Sequence, residues 1–204
     1  LASLPDKRAE KMDAFFAACE TGTLPNVSVV EPAFFQNDDH PPADVRNGQA
    51  FIATVYEALR RSPQWDRMLV LFFYDEHGGF FDHVPPPESR GDARAAEGFD
   101  RLGFRIPGLV AGPLVRRGFA FDEVVEHSSV PRLIADVFGL APVNERAAQA
   151  GSFEGALDVT LPICMKDGKA TAVCGVTIKT DGMSREQAIA KAKEIAKAVD
   201  TGLG

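Results

Sequence analysis

A chain of 204 residues, 45% hydrophobic and 25% charged, can bury a sizeable core as one large domain or as a domain with a small appendage. Its formal net charge of −7 argues against wrapping nucleic acid, which demands a basic face, so a small anionic ligand would need a metal or a local cluster to hold it. No apolar run approaches the ~20 residues that span a bilayer, and the opening stretch LASLPDKRAEK lacks the apolar core of a signal peptide and begins without methionine, which leaves room for an upstream segment.

In chain order, KRAEKMDAFFAACETG places Met12, Phe15, Phe16 and Cys19 at helical spacing, with Gly22 as the stop. NVSVVE follows as a short β-type run, and FFQNDDHPPADV, with two prolines and adjacent acids, reads as a loop that carries His40. From Gly48 to Arg61 the residues Ile52, Val55, Tyr56 and Leu59 recur on one helical face, ended by Ser62-Pro63. RMLVLFFYDE is a continuous apolar run of strand length, as expected of a strand covered on both faces in a parallel sheet. A proline- and charge-rich loop spans 85 to 100, FRIPGLVAGP is a further buried strand, and HSSVPRLIADVFGL predicts a helix. Ser128 or Ser129 would be its N-cap, Pro131 lies in its first turn, and Gly139 stands at its end. The alternation of helix and strand points to an α/β layered fold.

Composition changes near residue 155. Every aromatic residue and every histidine lies before Glu154, and from Asp158 onward seven basic residues face six acidic ones, against 15 and 23 earlier. LDVTLPICM and ATAVCGVTIKT flank a KDGK turn, and SREQAIAKAKEIAKAVD opens with a capping box from Ser184 to Gln187. The expectation is a β-β-α appended module over 154–204, beside a domain over 1–153. The three cysteines, Cys19, Cys164 and Cys174, lack metal-ligand or redox-motif spacing. Buried free thiols are expected, a 164/174 disulfide staying open if those two lie on paired strands.

The densest chemistry is YDEHGGFFDHV, residues 74 to 84. Asp75 and Glu76 fall where the strand gives out, the end at which open α/β sheets bind ligands, and a backbone that turns away there lets consecutive carboxylates converge on one cation. Gly78 and Gly79 permit that turn, and Asp82-His83 follow. A solvated acid pair capping a strand is the bland alternative. His40, beside Asp38 and Asp39, is either an exposed loop histidine or a ring oriented by a carboxylate for proton transfer or anion binding. His127 precedes a helix N-terminus, whose dipole keeps the ring neutral, as a ligand or as a satisfied core histidine. His83 suits a supporting role. Arg60, Arg61, Arg116 and Arg117 could meet an anion, though solvated surface charge is their ordinary state.

GTLPNVSVVEPAFFQNDDHPP, SPQWDRMLVLFFYDEHGGFFDHVPPP, GFRIPGLVAGP and EHSSVPRLIADVFGL, in this order, resemble the C-terminal half of the phosphoesterase family that includes bacterial phosphatidylcholine-type phospholipases C and related acid phosphatases. The resemblance runs over about residues 10 to 153. It implies an alkaline-phosphatase-like layered α/β sheet with helices, a divalent metal ion, and a phosphate ester substrate such as a phospholipid head group or a phosphomonoester. It also implies an extracytoplasmic location, periplasmic or secreted. On it, Asp75 and Glu76 are the adjacent acidic metal ligands, His40 approaches the bound phosphate, and His127 lies near the site. Calcium, magnesium, manganese and zinc all stay open.

The family's Glu-Asn metal pair and its Ser or Thr nucleophile lie upstream of the matched region. Ser28 and Glu31 do not stand in that context, so a missing N-terminal half is expected. The tail is similar to the last strands and helix of Cache-type sensor modules. The sequence thus predicts a metal-dependent phosphoric ester hydrolase, incomplete as this chain; the alternative is a non-catalytic phosphoesterase remnant carrying a Cache-like tail that binds small ligands.

Overall fold

The computed structural model describes residues 11–90 and 94–158. The expected β-β-α module beyond Asp158, with Cys164 and Cys174, lies outside the described residues. The chain divides into two compact units, Leu1–Asp66 and Arg67–Gly204.

The first unit is a pair of helices. Helix α1, Met12–Thr21, buries Cys19 and stops at Gly22, whose φ of 69° is a left-handed value that a glycine adopts without strain. The N–H of Thr23 closes the cap on the Ala18 carbonyl at 2.9 Å. Both the N–H and the C=O of Leu24 bond the side-chain amide of Gln64, at 2.9 and 3.1 Å, which ties the exit of α1 to the chain beyond α2. Helix α2, Val45–Arg61, begins three residues before the predicted stripe because the Asp44 carboxylate caps it, accepting from the Arg46 N–H. Val55 and Leu59 are buried as predicted, as is Gly48. The expected strand in NVSVVE is absent: residues 26–31 carry no ladder, and Val29 is 81% exposed. β-Branched residues favour extended backbone, but a strand persists only where a partner supplies the hydrogen bonds.

In the second unit, strand β1, Val70–Phe73, pairs with strand β2, Gly108–Ala111, in the register Val70↔Ala111 to Phe73↔Gly108. The pairing is antiparallel, which corrects the expected parallel sheet. An unbroken apolar run reports burial on two faces but carries no information on partner direction. Burial on two faces is not found either. Leu71 and Val110 turn inward with Leu69, against the buried trio Leu133, Phe153 and Leu157, whereas Leu109 is 59% exposed. After β2 the backbone crosses the entry to β1 so closely that a Cβ on Gly112 would lie 2.5 Å from the Met68 carbonyl oxygen.

Helix α3, Ser129–Phe138, lays Leu133 and Val137 into that core and ends at Gly139, φ 61°. Ser128 holds the N-cap position without a side-chain bond; the Ser129 hydroxyl instead accepts from the Glu126 N–H at 3.0 Å. Helix α4, Glu145–Gln149, is capped by Asn144, which accepts from the Ala147 N–H at 2.8 Å. Residues as far as Asp158 pack with this unit, where the Asp158 N–H bonds the Leu114 carbonyl.

Candidate functional site

β1 ends at Phe73, and the acid pair follows on the bend beyond it. Its upstream anchor is a histidine: His127 Nε2 donates to the Tyr74 carbonyl at 3.0 Å while the ring lies 5.8 Å from that of Phe73. A carbonyl can only accept, so Nε2 bears a proton. His127 itself is positioned by the turn before α3. There Ser129 receives the Glu126 N–H, and the Glu126 carboxylate is gripped by Arg146 at 2.8 and 3.0 Å.

Asp75 and Glu76 are both exposed. Among the described residues the Asp75 carboxylate has no hydrogen bond or ion pair, whereas Glu76 Oε2 accepts the Gly78 N–H at 2.6 Å. Gly78 and Gly79 hold φ of 68° and 77°. A Cβ on Gly79 would meet nothing within 4 Å, so glycine is set here by backbone angle rather than by space. The same turn orients His77, whose Nδ1 donates to the Phe80 carbonyl at 2.9 Å and whose ring stands edge-on to Phe104.

Downstream, Asp82 forms a two-pronged pair with Arg105, Nε at 2.7 Å and Nη2 at 2.8 Å. That guanidinium, with the Val84 N–H, holds the Asp82 carboxyl well below the usual carboxylate range. An open groove of about 400 Å³ is lined here by His77, Phe80, Phe81 and Arg105. His83 is 84% exposed at its side chain, with Nδ1 3.8 Å from Asp82 Oδ1.

His40 belongs to the first unit. Its Nδ1 donates to the Pro41 carbonyl at 2.8 Å and its ring meets Phe34 edge-on, so a backbone carbonyl orients the imidazole and leaves Nε2 outward. Asp38 is 6% exposed, and neither of its carboxylate oxygens finds a hydrogen-bond partner among the described residues. Asp39 lies across Gly48 of α2, where a Cβ would stand 2.0 Å from Asp39 Oδ1. Of the arginines considered as anion contacts, Arg60 and Arg61 pair with Glu57, and Arg116 lies over the Phe119 ring with Nη1 bonded to the Gly155 carbonyl.

The donor chemistry fits a hard divalent cation in kind. Two carboxylates stand side by side at a strand end, one of them unengaged and the other holding a single backbone N–H. No group of three or more His, Cys, Asp and Glu side chains is gathered for a metal among the described residues. The sequence reading missed the Asp82–Arg105 and Glu126–Arg146 pairs, because partners 23 and 20 residues apart leave no local signature. It also left the Asp44 and Asn144 caps unread, although each carries the usual signal of an Asx side chain just before a helix.

These features define a mixed α/β protein in which two carboxylates and an imidazole lie near the end of a strand. The phosphoesterase family profile matches residues 3–141, and the chain belongs to that family. It is 41% identical to non-specific phospholipase C6 of Arabidopsis thaliana over 157 residues, 65% of this chain and 30% of that protein. It is 42% identical to non-specific phospholipase C1 of the same plant over 168 residues, 71% of this chain and 31% of that protein. Phospholipase C B of Mycobacterium tuberculosis is 33% identical over 147 residues, 64% of this chain and 28% of that protein. The chain therefore spans about 30% of the length of the curated relatives it matches, and the likeness, read from the sequence on bacterial members, extends to plant proteins.

Proposed function

We propose that this chain is the acid-pair-bearing part of a metal-dependent phosphoric ester hydrolase of phospholipase C type. The observation that carries the reading is the unengaged Asp75 carboxylate beside Glu76, on a bend anchored by His127, in a chain similar to proteins named phospholipase C. Asp75 and Glu76 would hold the divalent ion, which when bound neutralises charge on the phosphoryl group. The remaining donors and the nucleophile come from outside the described residues, in an alkaline-phosphatase-like layered sheet that this mixed α/β portion would join.

His40 donates Nδ1–H to the Pro41 carbonyl. A neutral ring therefore presents a bare Nε2, and only the imidazolium offers Nε2–H to a phosphate oxygen. His40 is assigned an approach to the bound phosphate. His127 is a positioning residue: its proton is committed to the Tyr74 carbonyl, next to Asp75. The names of the relatives favour a phospholipid head-group ester over a small phosphomonoester, and the family likeness favours an extracytoplasmic setting; no helix among the described residues is long and apolar enough to cross a membrane.

The test is hydrolysis of p-nitrophenyl phosphorylcholine and p-nitrophenyl phosphate by the complete gene product, with and without chelator, beside Asp75→Asn. Turnover that stops on chelation and in the variant supports the reading. Turnover indifferent to both removes Asp75 from the site. The second reading, a non-catalytic phosphoesterase remnant, draws on the described residues, among which no third His, Cys, Asp or Glu side chain joins a metal-holding group, and predicts no turnover from the complete product under any metal.

A further inference from the structure

The bend that carries Asp75 and Glu76 is tied at both ends. Upstream, the β1–β2 ladder closes at Phe73↔Gly108 and His127 holds the Tyr74 carbonyl. Downstream, the chain is caught at Asp82, whose side chain is only 11% exposed beside a phenylalanine that is 89% exposed. Its two oxygens take the Arg105 fork at 2.7 and 2.8 Å, the Val84 N–H at 3.1 Å and the Arg105 N–H at 3.4 Å. Arg105 stands just before β2, the strand that already pairs with β1. The ion pair therefore closes a ring of covalent chain, ladder and fork around the acid pair. Two parallel charge-assisted bonds fix orientation as well as distance, which a lysine ammonium cannot do.

We infer that Asp82 and Arg105 are positioning residues for the acid pair: the fork sets the path of residues 75–81 so that the Asp75 and Glu76 carboxylates are held ready for one cation. The inference rests on the metal reading of Asp75 and Glu76. Partners that orient metal ligands without touching the metal typically change affinity by about 10–100-fold when altered.

The experiment uses the complete gene product as parent, with Arg105→Lys, Arg105→Ala, Asp82→Asn and Asp75→Asn, and Mn²⁺ as the probe. Mn²⁺ binding is followed by loss of the free-ion electron paramagnetic resonance signal, amide exchange reports on residues 75–83, and thermal unfolding reports on the whole fold. The expected result is Mn²⁺ uptake by the parent and loss of uptake in Asp75→Asn. Arg105→Lys should show affinity about tenfold weaker or more, faster exchange confined to the bend, and an unchanged unfolding midpoint. Asp82→Asn is the second variant should Arg105→Ala fail to fold. Parent-like Mn²⁺ affinity in both Arg105→Lys and Asp82→Asn overturns the positioning role alone, as does weakening that merely follows a lowered unfolding midpoint. No Mn²⁺ uptake by the parent overturns the metal reading and the positioning role with it.

Discussion

A carboxylate that is 6% exposed with both oxygens unpartnered, as at Asp38, opposes folding, because burial strips its hydration and nothing described replaces it. Asp38→Asn keeps the shape and removes the charge, so the unfolding free energy of this chain should rise by about 1 kcal/mol or more. Thermal unfolding near neutral pH measures it; a lowered midpoint would mean that a cation from outside the described residues already compensates Asp38. Asp82 is the opposite case. Arg105 depresses its carboxyl below the usual range, so the stability it contributes is present above the unfolded value of about 3.9 and is lost as pH falls through the lower folded value. In a carbon-13 carboxyl titration Asp82 should stay ionised at about pH 3 in the parent and titrate higher, closer to the ordinary value, in Arg105→Ala, where the Val84 N–H and the backbone N–H of residue 105 still hold it down. Equal titration in the two proteins would break the link to Arg105.

Helices were legible in the sequence where their signals are local. The stripe of α1 with Gly22 and the stripe of α3 with Gly139 each combine a period with a stop a few residues away, and both stand in the structure. Strands were legible only as runs. RMLVLFFYDE contains β1, but its antiparallel partner lies beyond a long loop and no local pattern names it, while NVSVVE has the composition of a strand and forms none. Around the candidate site, the bend after β1 and its two glycines were readable, the place of His127 came only from the family likeness, and the fork at Asp82 was not readable. Helix α2 offers a test in which two effects disagree in sign. Gly48→Ala gains about 1 kcal/mol in helix propensity, yet its Cβ would stand 2.0 Å from Asp39 Oδ1 and 2.5 Å from its Cγ. Overpacking of this kind costs about 1–3 kcal/mol, so the unfolding midpoint should fall. A raised midpoint would show that the DDHPP loop yields freely and does not rest on the helix.

In the molecule as a whole, the second unit leaves apolar surface that its own sequence marks for cover. On one side of the β1–β2 sheet Leu71 and Val110 pack against Leu133 and its neighbours, while on the other Leu109 is 59% exposed beside its ladder partner Phe72. Phe80 and Phe81 add 68% and 89% exposure on the acid-bearing bend. A two-stranded sheet also presents unpaired backbone groups along its edges, and exposed apolar strands of this kind pair with other chains. Family relatives more than three times the length of the matched part have further chain with which to cover such a face. The chain by itself should therefore associate reversibly. Sedimentation velocity is expected to show a weight-average coefficient that rises with protein concentration, and Leu109→Lys, which places a charge on the open face without touching the Leu133 core, is expected to flatten that rise. A parent coefficient independent of concentration would mean that this face is closed in solution. An unchanged rise in Leu109→Lys would move the contact from the sheet to the Phe80–Phe81 bend, where Phe81→Ser is the matching variant.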